Sequence, residues 1–576
     1  MAPIKIGLSM AGAISAGAYT AGVLDFLTEA LDEWEQAKAG GQAVPRHDVR
    51  IEVMSGASAG GMCAAISAVM LNQEFEHIHD TSKTGTTNVF YESWVNRIDI
   101  SELLKTGDLT KNSKVSSLLD STIISSIAEL ALTPGTLKRR PYVSPDLMLY
   151  LSLTNLGGTP YSLNGAAPGS VEETTFFYGD RIRFQIQLPG SSGAPDPRTH
   201  VLDFSNKNTS EWETLRTSAM ATGAFPIFLA PRILSRNLSE FTPPMWESVT
   251  AAATGNPPPV SPSFPPGTPD PLPTLNVDGG VTNNDPFIYA HDYLARMDPP
   301  VDRERMTVCA KDVDRLVINV APFPTKNAFD VTDGAVKASD VFSIVGKLYT
   351  ALISQSRFFG EALTKVMNGT TFDLYVIAPS DEELVDSYKG KKPEDTPPAL
   401  QCATLGAFGG FFYRGFRAHD YALGRRNCQK FLQKWFALPQ DNLVIEGGLP
   451  SEAAERSAMV EKFGVPPPPP YKEAANQVTP SCATDDLKWI PVIPLCGKAA
   501  DAIAPIARVA MNGKMLDDIV DLIMQRFKEV VATVLSNIQS RSLRWFLQVG
   551  QPFIRVLARS PLRAVLIKGL GDSYRP

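Results

Sequence analysis

The sequence predicts an α/β fold built on a mainly parallel sheet. Residues 3–9 have the pattern of a strand, and apolar residues at helical spacing follow at 18–34. Residues 51–70 repeat this order, with an apolar run, a turn of small residues and an alanine-rich helical segment. Two further buried runs, at 315–322 and 371–378, flank another helical segment. Successive β-α-β units of this kind place parallel strands side by side.

The turn after the second strand carries residues suited to nucleophilic chemistry, in the run Gly56-Ala57-Ser58-Ala59-Gly60-Gly61. A serine between glycines on a strand-to-helix turn is a nucleophile elbow, because small neighbours permit the sharp backbone turn. The hydroxyl then lies at a helix N-terminus, where the dipole and free N–H groups favour developing negative charge. The alternative is a Gly-Ser turn without chemistry.

The loop at residues 10–17 is the natural candidate for an oxyanion hole. Only 57 residues precede Ser58, which leaves room for two strands and one helix and excludes an α/β-hydrolase order. A right-handed β-α-β connection would place this loop beside Ser58 at the same edge of the sheet. The glycines at 12, 17 and 22 do not fit G-x-G-x-x-G, so a dinucleotide-binding fingerprint is excluded.

A second motif follows an apolar strand that ends in Asp278-Gly279-Gly280. This arrangement puts a carboxylate on a tight turn where another backbone must approach closely. The alternative is an ordinary Asp-Gly turn, which is frequent in proteins.

Segments rich in glycine and proline divide the chain. Residues 141–173 are expected to be irregular, and a proline-rich insertion at 243–273 is long enough to be functional or disordered. The predicted divisions are a main domain at 1–440 with a motif core at 3–290, a proline-rich linker region at 441–505 and a helical, basic, amphipathic C-terminal region at 506–576.

Composition narrows the classes of function. The net charge of −7 argues against a nucleic-acid-binding protein, and the six cysteines contain no C-x-x-C pair that would indicate a zinc site. No metal or cofactor motif is predicted. No segment has the pattern of a transmembrane span, and the uncharged N-terminal stretch lacks the leucine-rich core of a signal peptide. We therefore expect a cytoplasmic or peripherally membrane-associated protein.

The C-terminal tail differs in charge from the rest of the chain. Residues 541–576 carry seven Arg or Lys against one acid, interleaved with large apolar residues. In an acidic protein this pattern predicts binding to an anionic membrane surface. The alternative is a helical hairpin that packs on the body with its arginines in solvent.

In combination and in this order, the motifs resemble those of the patatin-like phospholipases, in particular bacterial-type members. The resemblance rests on the loop at 10–17 leading into Gly22-Val23-Leu24, the Gly56–Gly61 run, the Ser218…Phe225-Pro226 segment and Asp278-Gly279-Gly280. It covers roughly residues 3–290.

The resemblance implies a three-layer α/β/α fold and a Ser-Asp dyad without a catalytic histidine. Ser58 is then the nucleophile and Asp278 the general base, and the substrates are phospholipids or related lipid esters. A triad completed by His291 or His419 is disfavoured by the early position of the nucleophile. The leading hypothesis is a lipid acyl hydrolase; the alternatives are an acyltransferase with the same dyad and a catalytically weak, membrane-associated interaction protein.

The loop departs from the family's usual run of glycines followed by a basic residue and another glycine. In Gly12-Ala13-Ile14-Ser15-Ala16-Gly17 only the outer glycines remain, and Ala16 stands at the place of the basic residue. We predict Gly12, Ala13 and Ile14 as the oxyanion hole, with the N–H groups of Ala13 and Ile14 as donors if their φ/ψ values are allowed.

Overall fold

The structure is a computed structural model of the 576-residue chain. It describes residues 2–110, 114–163, 173–189, 191, 195–242, 260–299, 309–323, 374–391, 396–468, 488–536 and 559–576. The predictions made for 243–259 of the proline-rich insertion and for 541–558 of the tail lie outside the described residues.

A nine-stranded sheet forms the centre of the described chain. Its strands are β1 Ile4–Met10, β2 Val49–Gly56, β3 Val143–Leu163, β4 Glu173–Gln187, β5 His200–Asp203, β6 Arg232–Arg236, β7 Leu272–Asp278, β8 Arg315–Val320 and β9 Leu374–Ile377. Their order is β5-β4-β3-β2-β1-β8-β9, and β7 pairs with both β3 and β6. The pairs β1–β2, β1–β8, β2–β3, β8–β9 and β4–β5 are parallel, whereas β3–β4, β3–β7 and β6–β7 are antiparallel. The predicted mainly parallel sheet is confirmed.

Helices surround this sheet. The longer ones are α1 Gly17–Ala39, α2 Ser58–Met70, α3 Thr122–Ala131, α4 Ser210–Thr222, α5 Phe287–Arg296, α6 Arg414–Lys434, α7 Ala453–Phe463, α8 Gly513–Ser536 and α9, residues 559–570. Short helices cover Val89–Tyr91, Ile100–Leu103, Glu382–Ser387, Gly409–Phe412 and Leu443–Gly447.

The two faces of the sheet bury separate groups of side chains. Val53 and Val317 pack with α5 on one face, and the neighbouring Met54 and Ile318 join the larger core formed with α1, α2 and α6 on the other. Because successive side chains of a strand point to opposite faces, helices on both sides are needed to bury them. This is the three-layer α/β/α arrangement.

Helices α1 and α6 approach each other at backbone distance. A Cβ atom added to Gly22 would lie 2.0 Å from the carbonyl oxygen of Tyr421, and one added to Gly424 would lie 2.2 Å from that of Tyr19. Only glycine fits at such a crossing. The contact fixes α6, which lies far along the chain, against the helix that follows β1.

The prediction that residues 141–173 are irregular is wrong, because β3 spans Val143–Leu163. Leucines at 147, 149, 151 and 153 alternate along the strand and are all fully buried. Pairing with β2, β4 and β7 outweighs the local glycine and proline content. Gly157 and Gly158 lie where the register with β4 shifts, and Gly158 has a φ of 70°.

The C-terminal residues pack on the body where they are described. Strand β12 Met511–Asn512 pairs with β13 Tyr574–Arg575, and β10 Ala437–Pro439 pairs with β11 Trp489–Pro491. Arg559 and Arg563 form ion pairs with Asp521 and Asp517 of α8, at 2.8 and 2.6 Å. Leu566 and Leu570 are buried in the main core, and the hydroxyl of Tyr388 donates to Asp572 at 2.9 Å, so residues 559–576 pack on the body; membrane binding by the tail stays a prediction.

None of the helices in the described ranges combines the length and the apolar character needed to cross a membrane.

Candidate active site

Ser58 lies on the sharp turn between β2 and α2. Strand β2 ends at Gly56, helix α2 begins at Ser58, and Ser58 has a φ of 53°. A Cβ atom on Gly56 would lie 2.5 Å from the carbonyl oxygen of Gly60, and one on Gly60 would lie 2.2 Å from that of Met10. The glycines therefore let the turn fold onto itself and onto the end of β1. A non-glycine residue in the left-handed region is a frequent feature of active sites.

Asp278 is brought to Ser58 by strand β7. This strand runs antiparallel to β3, with Asp278 opposite Leu153. The Oγ of Ser58 donates a hydrogen bond of 2.6 Å to Oδ2 of Asp278, and the N–H of Gly280 donates one of 2.7 Å to Oδ1. A Cβ atom on Gly279 would lie 2.0 Å from the carbonyl oxygen of Ser152, so the turn requires glycine there. The structure thus joins two motifs that lie 220 residues apart.

The environment of Asp278 changes its acidity. The residue is 2 % exposed, and burial raises its pKa to about 7, against the opposing hydrogen bonds from Ser58 and Gly280. Among the described residues its side chain has no histidine partner. His291 bonds to Asp292 at 3.1 Å and His419 to Asp420 at 2.7 Å.

The loop at residues 11–16 lies against Ser58. A Cβ atom on Gly12 would come within 3.1 Å of the Ser58 Cβ and 2.2 Å of the Asn284 Oδ1. The N–H of Gly12 already donates to the carbonyl oxygen of Asn284, at 3.0 Å. In the part of the chain that the structure describes, the N–H groups of Ala13 and Ile14 have no acceptor. These two donors are therefore available to a ligand, whereas that of Gly12 is not.

An apolar space opens beside the dyad. Its volume is about 40 Å³, and apart from Ser58 and Asp278 its lining is apolar. Rings of Phe225, Phe228 and Phe408 form part of the wall, with centroids 5.1 to 5.9 Å apart. A second apolar space of about 40 Å³ shares four lining residues with the first: Met62, Trp94, Ile98 and Ile124. Together they extend from the dyad to the region between α3 and α4.

Sequence reasoning did not find several residues that hold the site. Thr222 Oγ1 accepts the N–H of Ser58 at 3.0 Å, and the hydroxyl of Thr154 donates to the carbonyl oxygen of Asp278 at 2.8 Å. Thr222 lies within the Ser218…Pro226 segment, so the sequence motif indicated this segment but not Thr222 itself. Thr154 lies in the stretch expected to be irregular, and nothing in the sequence marks it or Asn284.

Within the described ranges, no group of three or more His, Cys, Asp or Glu side chains is arranged to hold a metal ion.

The chain is similar to known proteins. The patatin-like phospholipase family model matches residues 8–291. The uncharacterized protein y4iI of Sinorhizobium fredii (strain NBRC 101917 / NGR234) is 32% identical over 595 residues, which cover 96% of this chain and 79% of that protein. VipD from Legionella pneumophila, a crystal structure, aligns over 100% of this chain and 89% of that chain with 10% identity, but its TM-score of 0.22 is too low to support an argument. By the family match, the chain belongs to the patatin-like phospholipases.

Proposed function

We propose that the protein is a lipid acyl hydrolase that cleaves ester bonds of phospholipids or related lipids through Ser58 and Asp278. Membership of the family supports lipid hydrolase activity in general. The observation that carries the finer proposal is the hydrogen bond of 2.6 Å between Ser58 Oγ and Asp278 Oδ2 beside an apolar pocket.

The proposed reaction uses one base twice. Asp278 accepts the proton of Ser58 as Oγ attacks the ester carbonyl carbon, and the resulting oxyanion is held by the N–H groups of Ala13 and Ile14. The C–O bond of the ester then breaks, and the leaving alcohol takes the proton from Asp278. Water attacks the acyl-enzyme, Asp278 accepts its proton, and collapse of the second oxyanion releases the fatty acid and returns the proton to Ser58.

The pH dependence of hydrolysis tests this role for Asp278. The base must be ionised, and burial raises its pKa to about 7, so kcat/KM should rise with pH and level off above about 7. The measurement is hydrolysis of a soluble monomeric ester between about pH 4 and pH 9 at constant ionic strength, with fluorophosphonate labelling in parallel. A rate that is already at its plateau near pH 5 would contradict the prediction, because it would require an ordinary carboxylate as base.

The apolar spaces beside the dyad support a long acyl chain as the bound part of the substrate. In this proposal the acyl chain enters at Ser58, passes the four shared residues and reaches the inner space lined by Ala128 and Ala219, and the side chains around both spaces move apart to admit it. Sites for apolar ligands are lined mainly by apolar side chains with few polar groups. Burial of each methylene contributes about 0.8 kcal/mol, so the inner space should favour long chains.

Filling the inner space should shorten the preferred chain. Ala128 lines that space but not the one at the dyad, so Ala128→Phe should reduce hydrolysis of esters with roughly ten or more acyl carbons by about tenfold or more. Hydrolysis of a butyrate ester should change by less than about twofold. Ala128→Ser, which keeps the space open, is the control. An unchanged chain-length profile in Ala128→Phe would exclude the inner space as an acyl site.

We propose that the lipid surface contacts a rim of exposed apolar residues beside this pocket, defined as Leu118, Ile227 and Phe527. They are 41, 71 and 49 % exposed. The N–H of Leu118 donates to the carbonyl oxygen of Ile227 at 2.8 Å, and Arg526, next to Phe527, donates to the carbonyl oxygen of Leu118 at 2.9 Å. The following residues, Leu119 and Phe228, line the space at the dyad. The rim therefore continues into the pocket.

The backbone of Ile227 adds support for this surface. Its φ of 73° is an outlier for a β-branched residue, and such a conformation costs about 1–2 kcal/mol. The side chain gains little within the protein, since most of it is exposed. The positive φ of Ile227 thus has a cost that burial of its side chain does not offset, and this supports a role for the side chain in binding.

Charged substitutions in the rim should separate action on aggregated lipid from action on soluble ester. Ile227→Glu is expected to lower hydrolysis of phospholipid vesicles by about tenfold or more, because burying an isoleucine contributes about 1.5–3 kcal/mol. Hydrolysis of a soluble short-chain ester should stay within about twofold. Leu443→Glu is the matched control, because Leu443 is 75 % exposed and follows Asn442, which bonds to Val313 before β8, at the opposite end of the sheet. Equal losses on both substrates, or on neither, would contradict the assignment.

A further inference from the structure

Ser15 joins the loop beside Ser58 to a segment nearly 400 residues later in the chain. Its buried hydroxyl donates to the carbonyl oxygen of Ala407 at 2.6 Å and accepts the N–H of Gly410 at 3.1 Å. Its own N–H donates to the same carbonyl oxygen at 3.2 Å. Three hydrogen bonds thus fix one residue of the loop to residues 401–411, which we name the clamp segment.

The residue before Ser15 is strained. Ile14 has a φ of 47°, a conformation that glycine adopts freely and that costs a β-branched residue about 1–2 kcal/mol. The N–H of Ile14 is also one of the two free donors of the loop. A donor on strained backbone keeps its direction only if neighbouring contacts hold it, and the adjacent contacts are those of Ser15.

Hydrogen bonds to two neighbouring helices hold the backbone conformation of the clamp segment. Leu405, Gly406 and Ala407 all have positive φ values, of 54, 63 and 72°. On one side, the carboxylate of Asp420 in α6 accepts the N–H groups of residues 401 and 402, both at 2.8 Å. On the other, the N–H of Leu405 donates to the carbonyl oxygen of Gly569 in α9 at 3.4 Å.

The end of the clamp segment is held by a buried arginine. Arg417 donates to the carbonyl oxygen of Gly410 at 2.7 Å, and the next residue, Phe411, lines the space at the dyad. Helices α6 and α9 therefore fix both the clamp segment and, through Ser15, the loop beside the nucleophile.

From these contacts we infer that Ser15 is a positioning residue that holds the N–H of Ile14 toward the oxyanion. The inference rests on the proposed hydrolase function and extends it. Through its hydrogen bonds to Ser15, the clamp segment holds Ile14 at a positive φ. A glycine at position 14 would adopt this conformation without strain. Ser15 touches no reacting atom, so its removal should affect the transition state more than substrate binding.

The test compares Ser15→Ala with the wild-type full-length protein in two assays. One is hydrolysis of a soluble ester, and the other is inhibition by an alkyl trifluoromethyl ketone. Ser58 adds to the ketone carbon, its proton passes to Asp278, and the resulting oxyanion occupies the proposed hole. We expect kcat to fall by about 10- to 100-fold, with an equal loss of ketone affinity and a KM within about threefold.

A second substitution separates positioning from a loss of folding. The test repeats Ser15→Ala in an Ile14→Gly background, and there the loss of kcat should be at least about tenfold smaller than in the wild-type background, because glycine needs no support at positive φ. Because Ile14→Gly also changes the free energy of unfolding, denaturant unfolding of all four proteins is measured beside kcat, and a recovery of kcat without a matching gain in stability identifies positioning. Ser144→Ala, at a buried serine of β3 that bonds Asp146, is the control for losing a buried hydroxyl.

The outcomes are distinct. Wild-type kcat and ketone affinity in Ser15→Ala, or a loss that Ile14→Gly does not reverse, would overturn the role of Ser15. A wild-type protein that neither hydrolyses esters nor reacts with a fluorophosphonate would instead overturn the proposed function itself.

Discussion

Replacing Ser58 by alanine is expected to lower kcat/KM for ester hydrolysis by at least about 10⁴-fold and to abolish fluorophosphonate labelling. The hydroxyl is the nucleophile of the proposed mechanism, and nothing else in the pocket lining described here offers one. Asp278→Asn should have an effect of similar size, because the amide cannot accept the proton of Ser58. The double variant should be no slower than either single variant, since the two groups act as a unit.

A neighbouring serine supplies the control for this pair. Ser55 lies on the same strand as the elbow and is fully buried, and its hydroxyl has no hydrogen-bond partner within the described ranges. Ser55→Ala should keep activity and labelling near the wild-type level. Full activity in Ser58→Ala or in Asp278→Asn would exclude the dyad, whereas labelling without lipid release would retain the dyad and point to another acceptor or substrate.

Ionisation of the buried Asp278 carboxyl group should lower the free energy of unfolding as the pH rises. Its folded pKa of about 7 lies above the ordinary value of 3.8, so its favourable contribution is complete below about pH 3.8 and is lost as pH rises through about 7. Asparagine does not ionise, so Asp278→Asn avoids this pH-dependent loss of stability. The inactive variant should therefore be more stable than the wild type at pH 8, by up to about 4 kcal/mol.

Arg425→Met is expected to destabilise the protein by about 3–5 kcal/mol. Arg425 of α6 forms ion pairs with Asp25 and Glu29 of α1, and all three side chains are buried. Burial raises the pKa of Asp25, but Arg425 and the hydrogen bond from His77 outweigh it and lower the pKa to about 2. Methionine keeps the volume and leaves two buried carboxylates without their main cation, which is the costly case.

The adjacent arginine provides a matched control. Arg426 pairs with Glu383, a half-exposed residue, so Arg426→Met should cost no more than about 1 kcal/mol. Denaturant unfolding at two pH values measures both variants. The deficit of Arg425→Met should be smaller at pH 5 than at pH 8, because protonation relieves an unpaired carboxylate. Equal effects of the two substitutions would mean that the buried cluster contributes little to stability.

The sequence by itself determined the fold class and the two turns that carry the proposed dyad. Strand and helix patterns follow from local periodicity, and the turns at Ser58 and Asp278 require glycines that are visible in the sequence. Gly60 and Gly279 lie so close to backbone atoms of other strands that a side chain would not fit there. The sequence shows this requirement directly, as a glycine at each position. These are short-range properties, so they can be predicted without the rest of the chain.

Only the tertiary structure decided how the site is assembled. Burial of Asp278, which raises its pKa, arises from the packing of β7 against β3 and cannot be derived from the turn motif. The carbonyl oxygen of Asn284 accepts the N–H of Gly12, whereas the N–H groups of Ala13 and Ile14 have no acceptor among the described residues. Strand β3 likewise forms because β2, β4 and β7 pair with it, although its own residues include Pro145 and two consecutive glycines.

The contact between Ser15 and Ala407 gives the clearest case. Ser15 lies in the loop at 10–17 and Ala407 in no motif, and the two are 392 residues apart, so no local pattern predicts their contact. Their hydrogen bonds depend on the glycine-mediated crossing of α1 and α6, which brings the two halves of the chain together. Local sequence therefore specified the groups that we propose to react, whereas long-range packing decided the burial of Asp278, the hydrogen bonds of the loop at 11–16 and the backbone conformation of Ile14.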